Sequence, residues 1–263
     1  MKNFLSFISE SKELRVDQIG KKNLNNITFI AFDTETTGLH RYQGKHKSLK
    51  LVFPKIRENL IKYYKDAENL STDDAKGKAY EILKKVEVEL QLAEIAAIAF
   101  TLDGTEKDRF HKYVRFDKSG ITERVYRLIQ WDYKKTRASN SPETVLKEFG
   151  EFISKQNNPM LIAHNAPFDL SLVKRLAVKH GANNTAQVLR NTKFIDTRKT
   201  TKLREIFPDL FPWRETEKGR REVNSQKDLI AAFNITNNAA HTALEDVTAL
   251  KKLFLKLYEL ART

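Results

Sequence analysis

Two hydrophobic patterns recur along this chain: short β-rich apolar runs and longer runs with helical spacing. The apolar runs at 27–32, 93–102 and 160–163 are bounded by turn residues and predict buried strands. A further run at 109–116 follows the turn Asp103-Gly104, so we expect it to form an antiparallel hairpin with the strand before it. The residues 194–197 add a candidate short strand.

Apolar residues three and four positions apart predict helices between and after these strands. Ser141 and Pro142 form a helix start, because serine caps helices and proline favours their first position. The remaining predictions, in chain order, are a helical pair within 41–88, a helix at 170–180 ended by Gly181, a basic loop at 207–223, a small helix at 227–233 and a long amphipathic helix from Leu244 to Leu260. Strands and helices in this order predict an α/β domain with a mixed sheet flanked by helices.

Two stretches stand apart from this domain, which we place at 25–263. Residues 1–24 have amphipathic character and predict an N-terminal helical arm that docks on the domain or on a partner. The 41–88 segment is a helical insertion after the first strand, and residues 41–90 hold twelve Lys or Arg against eight Asp or Glu. The positive charge of this insertion favours contact with nucleic acid. Two alternatives are that it binds a protein partner or that it covers an edge of the sheet.

Composition restricts the classes of protein that fit. The chain has 263 residues, 40% of them hydrophobic, which is enough for one large domain with a core. It contains no cysteine, so disulfides and thiolate metal sites are excluded. The sequence has no long apolar run that predicts a membrane span and no secretory signal pattern, so we expect a cytoplasmic protein, in the host cytoplasm if it is viral. Its net charge of +13 favours a polyanionic partner.

Four carboxylates and one histidine lie inside or beside apolar segments. Asp33 and Glu35 follow the first strand, Asp169 opens a predicted helix, and His241 and Asp246 precede the last helix. Residues two apart in a strand point to the same face, so the first two acids can reach one ion. Buried carboxylates that converge require a positive balance, and a pair of hard cations is a common device for hydrolysing phosphodiesters.

These residues resemble the signature of the DEDDh branch of the DnaQ-like 3′→5′ exonucleases, which belong to the RNase H-like superfamily. The resemblance runs from about residue 27 to 260, and only 1–24 and the insertion lack a counterpart. It implies the RNase H-like fold. The matching motifs are Asp33-Thr34-Glu35-Thr36-Thr37-Gly38, His164-Asn165-Ala166-Pro167-Phe168-Asp169 and His241-Thr242-Ala243-Leu244-Glu245-Asp246.

The resemblance also implies a role for each residue. Two Mg²⁺ or Mn²⁺ ions are implied, with Asp33 bridging both. Glu35 and Asp246 would help to hold the ion that activates water, and Asp169 would act at the second ion. His241 would be the general base, since an imidazole with an ordinary pKa near ~6.5 is largely neutral at cellular pH.

Substrate contacts are implied around the same motifs. In the family, the segment after the first motif touches the 3′-terminal nucleotide. Here this segment supplies Thr34, Thr36 and Thr37, with Leu39 against the base. Asn165 is a candidate hydrogen-bond donor near the scissile phosphate, or it braces its own turn.

Several nearby residues have ordinary structural explanations. His164 is expected to order its loop. Asp196 follows a strand, and a role as a further ligand is the alternative to an ordinary structural one. Glu245 fits a helix capping box with Thr242. Trp213 lies among basic residues, where stacking on a base and packing of a loop are equally open.

The expected function is metal-dependent removal of nucleoside monophosphates from nucleic-acid 3′ ends in DNA replication, repair or proofreading. Single-stranded DNA is the favoured substrate. A 3′→5′ exoribonuclease that trims RNA is the alternative, as is a non-catalytic module that binds nucleic acid or a polymerase. A polymerase or another replication protein is a possible partner.

Overall fold

The structure is a computed structural model, and its description covers most of the predicted domain. The described residues are 13–14, 24, 26–37, 54–85, 90–116, 135, 138–199, 209, 213–216, 219–222, 225–236 and 242–262. None of the helices among these residues is long and apolar enough to cross a membrane.

Strands and helices alternate along the described part of the chain. The strands are β1 (Glu13–Leu14), β2 (Thr28–Thr36), β3 (Leu92–Phe100), β4 (Glu106–Tyr113), β5 (Pro159–Ala163), β6 (Lys193–Asp196), β7 (Trp213–Thr216) and β8 (Gly219–Glu222). The helices are α1 (Pro54–Ala67), α2 (Thr72–Lys85), α3 (Pro142–Ser154), α4 (Ala166–Lys179), α5 (Asn183–Asn191), α6 (Gln226–Ala232) and α7 (Ala243–Arg262).

Six strands form a mixed sheet in the order β1-β6-β5-β2-β3-β4. β2 is parallel to β5, β5 to β6 and β6 to β1, whereas β2-β3 and β3-β4 are antiparallel. Parallel strands need crossover connections. Here α3 precedes β5, and α4 and α5 connect β5 with β6. The expected mixed sheet flanked by helices is confirmed. β7 and β8 form a separate hairpin.

Each face of the sheet carries its own core, because successive strand residues point in opposite directions. Ile30 and Phe32 of β2 pack in one core with residues of α3, α4 and α5. Phe29 and Ala31 pack in the other, where Phe254 of α7 lies 5.0 Å from the Phe29 ring, centroid to centroid. β2 and β3 are therefore buried on both sides, which explains their nearly continuous apolar sequences.

Several predicted elements are confirmed with shifted ends. The β3-β4 hairpin is antiparallel as predicted, but β4 begins at Glu106 rather than Arg109, after a turn in which Gly104 has a φ of 84°. The Ser141 hydroxyl accepts a hydrogen bond from the Thr144 amide, which confirms the predicted cap of α3. The helical pair is also confirmed, as α1 and α2, and these two helices pack on each other. α4 begins at Ala166, one turn earlier than predicted.

Two predictions need correction, and one helix was not predicted. The segment 207–223 is not simply a basic loop, because it contains the β7-β8 hairpin. α5 was not predicted, since its amphipathic sequence is short and polar overall. In the 1–24 arm, β1 pairs with β6 in the main sheet. Leu24 is buried in the core that contains Phe29, Ala31 and residues of α7, which we call the α7-side core. This part of the arm docks on the domain as a strand rather than as the predicted helix, and most of the arm lies outside the described residues.

We predict that Gly150→Ala destabilises the fold. A Cβ at this position of α3 would lie 2.2 Å from Oγ1 and 3.0 Å from the backbone Cα of Thr185 on α5. The two helices cannot separate easily, because the Thr185 hydroxyl donates to the Leu146 carbonyl at 2.8 Å. We expect a loss of roughly 1–3 kcal/mol in the free energy of unfolding, measured by urea titration.

The matched control is Gly77→Ala in α2. Nothing lies within 4 Å of a Cβ there, so the same substitution should leave stability unchanged or raise it through helix propensity. Equal effects of the two substitutions on the unfolding free energy would contradict the close packing of α3 on α5.

Candidate active site

Three of the predicted acids converge beside the C-terminal end of β2, an inner strand of the sheet. Asp33, Glu35 and Asp246 each offer a carboxylate oxygen, and these oxygens all lie within 4.8 Å of one another. All three residues are partly buried rather than freely exposed. We call them the acidic trio.

The local structure explains how residues so distant in sequence meet. Asp33 and Glu35 lie two positions apart at the end of β2, on the same face as Ala31, which packs in the α7-side core. Asp246 lies in the first turn of α7, where the positive end of the helix dipole favours an acid. The Gln226 side chain of α6 donates to the Asp246 carbonyl at 2.8 Å and fixes this turn.

Asp169 approaches from the other side of β2. It lies in the first turn of α4 and is 4% exposed. The Thr34 hydroxyl, on the opposite face of β2 from its neighbours Asp33 and Glu35, donates to Asp169 Oδ1 at 2.5 Å. Asp33 and Glu35 therefore supply acids on one face of β2, and Thr34 between them supports Asp169 on the other face.

The carboxylates at this site make one another harder to ionise. Burial, followed by the charges of Asp169 and Glu35, raises the pKa of Asp33 well above its ordinary value. Burial and the charge of Asp246 raise the pKa of Glu35 to about 8. Burial also raises the pKa of Asp169 to about 7, although the hydrogen bond from Thr34 opposes the rise. The charge of Lys135 lowers the pKa of Glu35 but leaves it raised overall, so a bound cation would relieve the repulsion within the cluster.

A divalent cation suits this donor set. The trio supplies hard oxygen ligands at a mutual spacing that one ion can bridge, and the sequence contains no thiol. Mg²⁺ and Mn²⁺ prefer such ligands. The acidic trio would hold the cation, with Asp169 close enough to the trio for its charge to act on Asp33.

The loop after β5 is braced by Asp196. Its Oδ1 accepts hydrogen bonds from the backbone amides of Asn165 at 2.8 Å and Arg198 at 3.0 Å. Asn165 has a left-handed backbone with a φ of 68°, and its side-chain oxygen lies 3.4 Å from an Arg198 nitrogen. His164 Nδ1 lies 3.1 Å from the Thr197 hydroxyl. His164 therefore contacts the loop as expected, whereas the bracing role of Asp196 was not predicted, and Asn165 takes part in the same bracing.

The predicted substrate residues of the first motif lie directly beside the trio but are buried. Thr34 is 8%, Thr36 6% and Thr37 2% exposed. The Thr34 hydroxyl is bonded to Asp169, and the Thr37 hydroxyl accepts from the Gln91 amide at 3.1 Å. These bonds give both hydroxyls a structural role, and their contacts with substrate stay a prediction.

Some predicted residues cannot be placed. His241 and Leu39 lie outside the described residues, as does the side chain of Trp213. His241 directly precedes Thr242, whose carbonyl accepts the Asp246 amide at 3.0 Å. The described chain therefore resumes next to the predicted base, at the helix turn that carries Asp246.

Sequence reasoning missed two charged residues near the trio. Glu94 of β3 is 1% exposed and pairs in register with Glu35. Lys135 is the cation whose charge lowers the pKa of Glu35, and its Nζ lies 5.3 Å from the centre of the Tyr113 ring. A glutamate inside an otherwise apolar β-strand was the available signal for Glu94, since buried acids need a partner.

A large groove lies elsewhere on the domain. Its volume is about 810 Å³, and its lining includes Leu102 after β3 and Lys252 and Tyr258 of α7. Of the described residues, Asp33, Glu35, Asp169 and Asp246 do not line it. The candidate site is therefore assigned from its chemistry rather than from cavity size.

A family model described as RNase T, exonuclease, matches residues 82–254 of this chain. The matched range includes Asp169, His241 and Asp246, whereas Asp33 and Glu35 lie before it. The structure places these two acids beside Asp246. A search of curated proteins found no match.

The fold is similar to that of solved exonuclease I structures. An Escherichia coli exonuclease I bound to a dA16 oligonucleotide aligns with a TM-score of 0.57 and 15% identity, covering 88% of this chain and 42% of that one. A moderately thermophilic exonuclease I from Methylocaldum szegediense aligns with a TM-score of 0.55 and 12% identity, covering 89% and 42%. This chain therefore spans less than half the length of either protein.

We predict that cation binding is linked to proton release. With pKa values of about 8 for Glu35 and about 7 for Asp169, both groups are largely protonated at about pH 6, and a cation must displace these protons. The affinity for Mn²⁺ should therefore rise from about pH 6 to about pH 8 and then level off. Calorimetry in buffers of different ionisation enthalpy would measure both the affinity and the protons released.

The same shifts fix the sign of the stability change without a cation. The unfolded chain has carboxyl pKa values near ~4, so the folded state binds more protons and loses stability as pH rises towards about 8. Added Mn²⁺ should remove this loss. An affinity and a stability that are both independent of pH over this range would contradict the electrostatics of the cluster.

Proposed function

Since this chain belongs to the RNase T exonuclease family, we propose that it is a cation-dependent 3′→5′ exonuclease that shortens single-stranded DNA. The observation that carries the proposal is the convergence of Asp33, Glu35 and Asp246, with Asp169 held alongside by Thr34. This arrangement contains all four acids of the DEDDh signature and matches the family assignment of the chain.

The residues of the site divide the work of phosphodiester hydrolysis. The acidic trio and Asp169 would hold two cations, and such cations would supply a lower pKa for bound water and positive charge to balance the phosphate and leaving oxygens. Thr34 keeps Asp169 oriented through the hydroxyl hydrogen bond. Besides burial, the charges of Asp169 and Glu35 raise the pKa of Asp33, and the charge of Asp169 also raises that of Glu35, so positive charge at the site would relieve this repulsion.

His241 is the proposed general base. A neutral imidazole can accept the proton of the attacking water and pass it to solvent after cleavage. The position of His241 next to Thr242, which begins the helix turn of Asp246, supports a place beside the acids.

Positive charge around the acidic trio supports a polyanionic substrate. Lys135 acts on Glu35 electrostatically, and Arg198 lies beside Asn165 on the loop that leads to Asp169. The net charge of the whole chain is +13. Cations that flank an acidic site attract the phosphates on either side of the cleaved bond while the acids hold metal.

The preference for single-stranded DNA is supported by the solved exonuclease I structures, two of which contain dA16 and dT13 oligonucleotides. Those proteins are more than twice as long as the part that aligns here. That this chain also acts on single-stranded DNA is therefore a proposal. A role in replication, repair or proofreading, with a polymerase as partner, is likewise proposed.

The test is degradation of oligonucleotides labelled at the 5′ end, as DNA and RNA and as single and double strands, with Mg²⁺, Mn²⁺ or EDTA. We expect single-stranded DNA to shorten stepwise from its 3′ end with either cation and to stay intact in EDTA. Faster loss of RNA would make the protein an exoribonuclease. Binding without cleavage under every condition would leave a non-catalytic module.

We predict that His241→Ala lowers turnover by about 10²–10⁴-fold, the usual contribution of a general base, while cation affinity is retained. Single-turnover rates and Mn²⁺ calorimetry on the same preparation would separate these effects. Asp33→Ala is the comparison variant and should lose both cation binding and turnover. Near-full activity of His241→Ala would refute the assignment of the base.

A further inference from the structure

Glu94 is a buried acid that the proposed mechanism does not yet use. It lies on β3 directly opposite Glu35 of β2, and Ala96, two residues on, lies opposite Asp33. Directly opposed residues of antiparallel strands share a face of the sheet, so Glu94 lies on the same face as Asp33 and Glu35. The register shifts between Glu35 and Thr36, so a β-bulge adjoins these acids, as bulges often do at active sites.

His111 holds one oxygen of this carboxylate. Its Nε2 lies 2.7 Å from Glu94 Oε1, a short distance typical of a hydrogen bond to a charged group. His111 pairs in register with Ala96, so it reaches Glu94 diagonally across β3 and β4. Ala96, between Asp33 and His111 on this face, contributes only a methyl group.

The other oxygen of Glu94 has no partner among the described residues. Glu94 is 1% exposed, and Oε2 is buried without a hydrogen bond. A buried acceptor left unbonded destabilises the fold, and more so when it is charged. The position therefore calls for a donor that arrives from outside the described residues.

The neighbouring acids show where that donor would lie. The charge of Glu94 acts on both Asp33 and Glu35 and makes each of them harder to ionise. Glu94 is nevertheless not among the residues whose oxygens lie within 4.8 Å of one another. It is thus close to the acidic trio but outside it. A cation in the trio would keep bound waters, whose O–H groups are strong donors at this distance.

We propose that Glu94, held by His111, is a positioning residue of the cation site, and that its second oxygen accepts a hydrogen bond from a water bound to the cation. The inference rests on the proposed function, since it needs a cation at the trio. Groups that bond to metal-bound ligands in this way commonly affect metal affinity about 10- to 100-fold.

The test measures Mn²⁺ binding by calorimetry on the full chain, with Mn²⁺ alone as the ligand. Glu94→Gln should weaken affinity about 10- to 100-fold, because the amide carries no charge and only one of its two terminal atoms can accept a hydrogen bond. Glu106→Gln is the matched control, since Glu106 lies on β4 in an exposed ion pair with Arg109, and it should bind Mn²⁺ like wild type. Unchanged affinity in Glu94→Gln would overturn the proposal.

Thermal unfolding in EDTA distinguishes this role from a purely structural one. Glu94→Gln removes a buried charge with an unpaired oxygen, so its midpoint without metal should equal or exceed that of wild type. Added Mn²⁺ should then raise the midpoint less than it does in wild type. A lower midpoint in EDTA, together with a wild-type response to Mn²⁺, would make Glu94 a packing residue and refute the inference.

A double-mutant cycle tests the contribution of His111. His111→Ala should weaken Mn²⁺ binding by freeing the carboxylate to turn, and it should add no further loss in the Glu94→Gln background. Independent, additive losses would overturn the action of His111 through Glu94.

Two further measurements keep the possible failures apart. If wild type binds Mn²⁺ no better than Asp33→Asn, the cation site itself is refuted, and with it the proposed function. If Glu94→Gln keeps its Mn²⁺ affinity but binds a nucleoside monophosphate more weakly, the donor is a sugar hydroxyl, and the water assignment is overturned.

Discussion

The mutual repulsion of buried carboxylates is the constraint on which this structure depends. Burial raises the pKa values of Asp33, Glu35 and Asp169, the charge of Asp169 raises those of Asp33 and Glu35 further, and Glu94 adds another charge to the same face. Such a cluster is unfavourable in a protein that binds no cation. The fold tolerates it because β2 and β3 are buried on both sides and anchored by two separate cores. Stability supplied by those cores is what allows charges to be held together beside the end of β2.

The sheet also determines which side chain does what. Asp33 and Glu35 point to the face covered by α7, and Thr34 between them supports Asp169 from the other face. Glu94 and His111 extend the first of these faces across β3 to β4. β2 thus contacts Asp169 of α4 through one face and lies beside Asp246 of α7 on the other. The alternation of side chains along the strand determines which residue lies on which face.

Much of this could be predicted from the sequence. The strands β2, β3 and β5 are apolar runs with clear ends, and the spacing of Asp33 and Glu35 already placed them on one face. The convergence with Asp246 came from the family signature rather than from local pattern, because no local pattern reports contacts between distant segments. The helix α5 was missed since its sequence is short and polar, and β1 was missed because two residues carry no period. Glu94 was overlooked because it lies inside an apolar strand, where its importance depends on the register with β2.

The position of Asp246 has a consequence for the order of events during synthesis. The acidic trio takes one member from α7, whereas the other two belong to β2, which leaves the ribosome far earlier. Until α7 emerges and packs on the sheet, the nascent polypeptide can build the core shared by α3, α4 and α5 but neither the other core nor the acidic trio. A cation held by the trio can therefore bind only after the sheet and α7 have come together.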